Sequence, residues 1–247
     1  SIIESDSAGS LERAARWQII AARAEKGQWK DARKELITLL NEPASTIDER
    51  VQAADFFRRN GEPQTAEKLI DQVLDRKPGH PGAVIIKSYL LSEQGKTSEA
   101  IDRLRVAISH EEQPPAVYLM LAAFAGETKT SDEAFPAIRS TLEQGLEAHP
   151  QSIDLLRAVY EIVRRTDGVE TALNFVKDRT ANDTEDDRIQ RLLVDLYTRE
   201  GRFDEAESLV ETLIDRQPKN ARLASGLITI LSSKAVQAAR QDRRQEE

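Results

Sequence analysis

The chain has 247 residues, enough for one large domain or two small ones, and its net charge of −8 lacks the basic footprint that nucleic-acid binders usually carry. Aromatic residues make up only 5% of the sequence, and 11 glycines and 9 prolines are too few for a β-sandwich with many turns. Because cysteine is absent, disulfides, thiolate metal sites and cysteine nucleophiles are excluded.

The strongest pattern along the chain is a short turn motif that begins with glycine and ends with alanine. The motif occurs at residues 27–32, 61–66, 95–100 and 201–206, with a looser copy at 167–172. Neighbouring copies are 34 residues apart, except that 72 residues separate Ala100 from Ala172, which is two periods plus four residues. We expect the four extra residues near 127–131. A fixed period of this length indicates stacked supersecondary units.

Each copy of the motif joins two segments with helical periodicity. After the turn, apolar residues recur at intervals of three and four, which is the pattern of one helix face. Two copies show it position for position: Ala66, Leu69, Ile70, Val73 and Leu74, then Ala206, Leu209, Val210, Leu213 and Ile214. Glycine suits a tight turn between helices, and alanine allows two helices to cross closely. Proline cannot continue a helix, so it closes the repeats at Pro43, Pro78, Pro150 and Pro218.

These signals divide the chain into an N-terminal segment, six repeats, a capping helix and a charged tail. The predicted boundaries are 1–12; 13–46, 47–80, 81–114, 115–152, 153–186 and 187–220; 221–240; and 241–247. A stack of repeats needs a terminal element that covers its last apolar face. We therefore expect Leu223, Leu227, Ile230 and Leu231 of the capping helix to pack inward.

The pattern resembles the tetratricopeptide repeat (TPR) family, in the form found in bacterial TPR proteins. The resemblance implies an all-α, right-handed α-solenoid of about six TPR-like helix pairs plus a C-terminal capping helix. Two residues depart from the family pattern. Tyr160 and Arg179 stand where small residues are usual, so we expect the repeat 153–186 to pack irregularly.

No group of residues points to catalysis. Gly95-Lys96-Thr97 resembles the end of a phosphate-binding loop, but Leu90 stands where that motif needs a glycine. The three histidines are not spaced as a helical zinc site requires. We therefore predict no enzyme activity, no catalytic residues, no cofactor and no metal.

In TPR proteins the first helix of each repeat lines the concave face and contacts the ligand. Carried over to this chain, the resemblance implies a partner-binding set of Trp17, Val51, Asp55, Ile85, Tyr89, Leu119, Met120, Arg157, Glu161, Arg191 and Asp195. The first part of this set is mainly apolar and suits an amphipathic helix or an extended peptide. The last part is charged with mixed sign. Packing between repeats and solvated salt bridges are the alternative interpretations of the two parts.

We predict a protein–protein interaction scaffold that binds a peptide or helix of an unidentified partner on its concave face, without nucleic acid. Two alternatives stay open. In the first, the chain is a regulatory or targeting segment of a larger protein, either an enzyme or a bacterial cell-envelope assembly protein. In the second, the chain self-associates as a homodimer through a first helix around Leu11, Ala15 and Ile19.

The start of the chain bears on its context. It begins at Ser1 and its only methionine is Met120, so we expect a processed product or an excised piece. No secretory signal is visible, and no apolar run reaches the roughly 18 residues that span a bilayer. We therefore predict no membrane contact by this fragment, and a cytoplasmic or periplasmic location if its source is bacterial.

Overall fold

The computed structural model describes residues 2–110, 112–128, 131–180 and 187–245, without the side chains at 2–10, 128, 131–133, 180 and 241–245. Every regular element within these ranges is an α-helix, which confirms the predicted all-α class. The chain forms two compact bodies, an N-terminal body at Ser1–Gln113 and a C-terminal body at Pro114–Glu247.

The N-terminal body consists of three helical hairpins. Its helices are α1 (Ile2–Glu25), α2 (Trp29–Leu40), α3 (Ile47–Arg59), α4 (Pro63–Arg76), α5 (Pro81–Glu93) and α6 (Thr97–His110). Within each hairpin the first helix packs against the second, and α3 also lies beside α5. Local sequence explains the helix starts. Thr46 and Glu49 form a capping box at α3, and proline occupies the first turn of α4 and α5.

The glycine that opens each motif ends the preceding helix. Gly61 has a φ of 80°, and the N–H of Glu62 donates to the carbonyl of Phe57 at 2.9 Å. This left-handed conformation closes the helix end and turns the chain into the next helix. Side chains other than glycine are strained there, which is why the same residue type recurs at the other turns.

The alanine that ends each motif is completely buried. Ala32, Ala66 and Ala100 expose no surface.

A polar residue in the same core is Lys87 on α5. Its side chain is buried and donates hydrogen bonds to Glu67 and Asp71 on α4 at 2.8 and 2.7 Å. The hairpins of this body therefore combine small residues at the helix crossings with a buried lysine that pairs with carboxylates on α4.

The C-terminal body contains three hairpins and one further helix. Its helices are α7 (Pro115–Thr128), α8 (Ser131–Ala148), α9 (Ile153–Thr166), α10 (Val169–Thr180), α11 (Asp187–Arg199), α12 (Phe203–Arg216) and α13 (Ala221–Gln245). Each helix packs against the next, α9 lies beside both α7 and α11, and α13 packs on α12.

The four extra residues of the fourth repeat coincide with a longer second helix. Helix α8 has 18 residues, whereas α12, the last second helix of this body, has 14. The insertion was expected at 127–131, of which Lys129 and Thr130 lie outside the described residues. The additional helical length therefore lies in α8, which also contains Pro136.

Helix starts coincide with the points at which the sequence was divided. Helices begin at Ile47, Pro81, Pro115, Ile153, Asp187 and Ala221. Both ends of the chain differ from the expected layout. Helix α1 begins at Ile2, inside the segment 1–12 that was expected to precede the repeats, and α13 extends to Gln245, beyond the expected end of the capping helix at 240. On α13, Leu223 and Ile230 are buried as expected, whereas the expected inward packing of Leu231 is wrong: its side chain is 42% exposed.

Candidate partner-binding surface

In the N-terminal body the most accessible part of the predicted set lies on α5. The side chain of Tyr89 is 40% exposed, and Ile85, one turn earlier, is half-buried. Residues four apart on a helix lie on one face. The two side chains therefore form a small apolar surface beside α3.

Arg58 on α3 connects this surface to a set of charges. Its Cζ lies 4.9 Å from the centroid of the Tyr89 ring. Its Nε and Nη2 donate to Oδ1 of Asp55 at 3.2 and 2.9 Å, and its Nη1 donates to Glu93 on α5. Burial alone would lower the pKa of Arg58, but the hydrogen bonds that it donates to Asp55 and Glu93 outweigh burial and raise that pKa. The guanidinium is thus held over the ring in its charged form.

Two predicted residues of this body are buried. Trp17 is 9% exposed and packs edge-on against Phe56, with ring centroids 6.4 Å apart. Val51 is equally buried and lies close to Gly82 at the start of α5. These side chains support the first-helix face and present little area to a ligand.

Trp17 nevertheless lies at the edge of a polar cleft of about 690 Å³ between α1 and the start of α3. The cleft is lined by Arg13 and Arg16, which form ion pairs with Glu42 and Glu49 at 2.5 to 2.8 Å. The hydrogen bond from Arg13 is the main cause of a lowered pKa at Glu49. Sequence analysis missed this cluster because its members come from three separate segments.

In the C-terminal body the predicted apolar pair is only partly accessible. Leu119 on α7 is half-buried and its neighbour Met120 is buried. Consecutive residues point to different faces of a helix. Leu119 is therefore the member of the pair that a ligand could reach.

The predicted charged residues of this body have different surroundings. Glu161 on α9 forms an ion pair with Arg199 on α11. Arg157 and Arg191 are exposed, and the Nε of Arg191 donates to the carbonyl of Asp187 at 3.3 Å. Asp195 is also exposed, and neither it nor Arg157 has an ion-pair partner in the described part of the chain.

Beside Glu161 lies a partly buried network that sequence analysis did not find. Glu200 accepts hydrogen bonds from the Tyr160 hydroxyl at 3.0 Å and from Arg164 Nε at 2.8 Å. Arg199 also donates to Glu200, and its guanidinium lies 5.0 Å from the centroid of the Tyr160 ring. Tyr160, a departure from the family pattern, is therefore buried with its hydroxyl satisfied. Tyr160 and Arg164 lie 40 and 36 residues from Glu200, so no local signal in the sequence links them to it.

The described residues contain no group of three or more histidine or acidic side chains that could hold a metal ion. In the same residues no helix is both long enough and apolar enough to cross a membrane.

Comparison with known proteins identifies the family. Tetratricopeptide repeat models match residues 51–117 and 169–228, which together make up just over half of the chain. The chain belongs to the tetratricopeptide repeat family. The matched regions include the motif glycines Gly61, Gly95 and Gly201 with their alanines, so the TPR resemblance inferred from the turn motif is confirmed. No curated protein matches the sequence.

A solved structure with a TM-score of 0.50 supports the helical solenoid class. The chain resembles pilF of Pseudomonas aeruginosa with a TM-score of 0.50 and 17% identity, over 86% of this chain and 95% of that one. A thermophilic TPR protein of Thermus thermophilus matches with a TM-score of 0.45 and 16% identity, over 75% and 99% of the two chains. At these identities the likeness concerns the fold alone. TPR repeats generally mediate protein–protein interactions on a scaffold that is generally non-catalytic.

Proposed function

We propose that this TPR protein is an interaction scaffold whose first helices bind a peptide or helix of a partner protein on the concave face. The observation that carries the proposal is the position of Tyr89, whose aromatic ring is partly exposed and lies beneath the guanidinium of Arg58. Tyrosine and arginine are among the residues most often found as binding hot spots.

The fixed position of Arg58 favours binding. Its contacts with Asp55 and Glu93 restrict the guanidinium before a ligand arrives. A side chain that is already ordered loses less conformational entropy on binding. Ile85 adds apolar area on the same face, so we expect the partner to insert an apolar side chain between Ile85 and Tyr89.

The charged residues of the C-terminal body suit a different part of such an interaction. Arg157, Arg191 and Asp195 are exposed and of mixed sign. Exposed charges of this kind affect association rate and selectivity more than affinity. We expect them to select partners of complementary charge, while Tyr89 and Leu119 provide most of the affinity.

A peptide selection tests the proposal. Peptides selected from a displayed library on the wild-type chain are titrated against the wild type and the double variant Tyr89→Ala/Leu119→Ala. We expect a loss of more than about 2 kcal/mol, since hot-spot truncations reach this size. Helicity measured by circular dichroism should be unchanged, because neither side chain is fully buried.

Val106→Ala is the matched control, since Val106 is an exposed apolar residue on the second helix α6. Its affinity should equal that of the wild type. Equal binding to the wild type and to the double variant would exclude Tyr89 and Leu119 as the binding surface.

A specific observation also favours self-association. On α1, Leu11 is 71% exposed and Ile19 is 48% exposed, and both lie on one face with the exposed Ala15. Sedimentation velocity over a concentration series should then show a dimer that Leu11→Ser/Ile19→Ser abolishes. A monomer at every concentration would rule this candidate out.

A further inference from the structure

Within the N-terminal body, the junction between the first two hairpins differs from the junction that follows it. The second and third hairpins meet through their first helices, since α3 lies beside α5. Between the first and second hairpins, the cleft of about 690 Å³ separates α1 from the start of α3. Helix α2 touches α3, and side-chain contacts connect the rest of the two hairpins. Because the cleft already lies between α1 and α3, opening this junction exposes little further apolar area there.

Glu49, at the start of α3, connects one end of the junction. Its carboxylate accepts hydrogen bonds from Nε and Nη2 of Arg13 on α1, at 2.8 Å each, and from the backbone N–H of Thr46 at 2.9 Å. The side chains of Arg13 and Glu49 are only 14% and 15% exposed, so salt screens their attraction weakly. The bond from Thr46 belongs to the capping box of α3. One carboxylate therefore joins α1 to α3 and also caps α3.

Glu62, which directly precedes α4, connects the other end of the junction. It accepts hydrogen bonds from Nε of Arg33 at 2.7 Å and from Nε1 of Trp29 at 3.0 Å, both on α2. The hydroxyl of Thr65 also donates to it at 3.0 Å. Arg33 is the charged partner at this end. Each end of the junction thus depends on one glutamate of the second hairpin that accepts hydrogen bonds from the first hairpin.

Aromatic rings pack across the same junction. Besides the contact of Trp17 with Phe56, the ring of Trp29 lies 5.5 Å from that of Phe56 and 5.9 Å from that of Phe57. Trp29 and Phe56 are half-buried. Trp17 and Trp29 are the two tryptophans of the chain, so tryptophan fluorescence reports on this junction alone.

The two glutamates make the junction sensitive to acid. The hydrogen bond from Arg13 is the main cause that lowers the pKa of Glu49 below its ordinary value of 4.5. Burial alone would raise the pKa of Glu62, but hydrogen bonds led by that from Arg33 outweigh it and lower that pKa too. A lowered pKa in the closed form stabilises this form above the ordinary pKa, and the stabilisation is lost as the pH falls through the lowered value.

Other charged groups near Glu49 act in the same direction or bind elsewhere. The cleft around it also contains Glu12, Arg16 and Glu42. Glu42 pairs with Arg16 at 2.6 Å, and the hydrogen bond from Arg16 is the main cause of a lowered pKa at Glu42. Protonation of Glu42 therefore loosens the attachment of α1 as well. On α3, Arg50 donates to a backbone carbonyl at the end of α2.

We propose that the first hairpin, α1 with α2, is an acid-sensitive gate that turns about the connection 41–46. It lies closed against α3 while Glu49 and Glu62 are ionised, and it opens when both are neutral. Opening exposes Trp17 on the concave face, where the closed form buries it. The opening itself needs no partner, so its test and the test of binding at Tyr89 can fail independently.

Acid titration of the wild type tests the gate. Tryptophan emission and its quenching by acrylamide are followed from neutral pH downward, together with circular dichroism at 222 nm. We expect emission to shift to longer wavelength and quenching to increase between about pH 5 and pH 4, before the circular dichroism signal falls. The variant Glu49→Gln/Glu62→Gln should show the acid form of the emission already at neutral pH, with its helicity kept.

Distances between spin labels measure the opening directly. The chain has no cysteine, so labels attach only at introduced sites. Lys34 on α2 and Lys68 on α4 are exposed and are replaced by cysteine. Their separation should increase by at least about 3 Å, the width of one water molecule, in acid and in the neutral variant. A second pair at Lys68 and Asp102, on α4 and α6 and likewise 34 residues apart, should keep its separation.

A charge-matched control and three outcomes complete the test. Glu25→Gln/Glu99→Gln removes two exposed carboxylates that form no ion pair in the described part of the chain, and it should behave as the wild type does. Coincident fluorescence and circular dichroism transitions would overturn the proposal, because the tryptophans would then report global unfolding. Unchanged label distances in Glu49→Gln/Glu62→Gln, or an equal increase for both label pairs, would overturn it as well.

Discussion

Replacing Glu200 with alanine tests the buried network of the C-terminal body. The carboxylate accepts hydrogen bonds from Tyr160 and Arg164. Tyr160 is completely buried, so the variant leaves its O–H donor without an acceptor, at a cost of about 1–3 kcal/mol. The side chains of Arg164 and Arg199 are about two-fifths exposed, so their ion pairs add only about 0–1 kcal/mol. We expect Glu200→Ala to lower the free energy of unfolding by about 1–4 kcal/mol.

A double-mutant cycle separates the orphaned hydroxyl from other effects. Tyr160→Phe removes the hydroxyl but keeps the ring, and should cost about 1–2 kcal/mol. Because Phe leaves nothing unsatisfied, Tyr160→Phe/Glu200→Ala should be less destabilised than the sum of the single variants by about 1 kcal/mol or more. Urea unfolding followed by circular dichroism at 222 nm measures these differences.

Glu161→Ala is the matched control within the same cluster. Glu161 pairs with Arg199, but both side chains are 42% exposed, so its loss should change stability by less than about 0.5 kcal/mol. Equal effects of Glu161→Ala and Glu200→Ala, or strict additivity in the cycle, would refute the reasoning.

The same network predicts a dependence on pH. Burial alone would raise the pKa of Glu200, but hydrogen bonds from Arg164 and Tyr160 outweigh it and lower that pKa below its ordinary value of 4.5. A lowered pKa in the folded state contributes stability above the ordinary pKa, and this contribution is lost as the pH falls through the folded value. The stability difference between the wild type and Glu200→Gln should therefore be constant near neutral pH and shrink below about pH 4.5.

Two further predictions concern the turn motif. Ala66→Leu or Ala100→Leu should overpack a helix crossing and cost about 1–3 kcal/mol in urea unfolding, since neither alanine exposes any surface; no effect at both sites would mean that the repeat is placed wrongly. Gly61→Ala should lower the free energy of unfolding by about 1–2 kcal/mol, because φ is 80° there. Gly226→Ala inside α13 should raise it by about 0.5–1 kcal/mol, because nothing lies near the added methyl group and alanine favours a helix over glycine. The opposite order of the two glycine variants would contradict this account.

The proposed binding surface was predicted from sequence only as a set of positions that the TPR resemblance implies. The resemblance implied Ile85 and Tyr89 as contact positions, and in the structure Tyr89 is exposed and Ile85 is half-buried. The resemblance also implied Trp17, Val51 and Met120, which are buried. Position within a repeat does not reveal exposure, because exposure depends on the size of the neighbouring side chains and on how closely the helices approach.

The amino-acid sequence by itself determined the helices, the turns and the family of this protein. Glycine turns, buried alanines and a 3.6-residue apolar period are local signals, and each acts within one hairpin. The tertiary structure alone decided which charges meet, as for Tyr160 and Glu200, which are 40 residues apart. It also decided which apolar side chains stay exposed, as at Leu231. Periodicity shows that a helix face is apolar, but only the packed structure shows whether another helix lies against it.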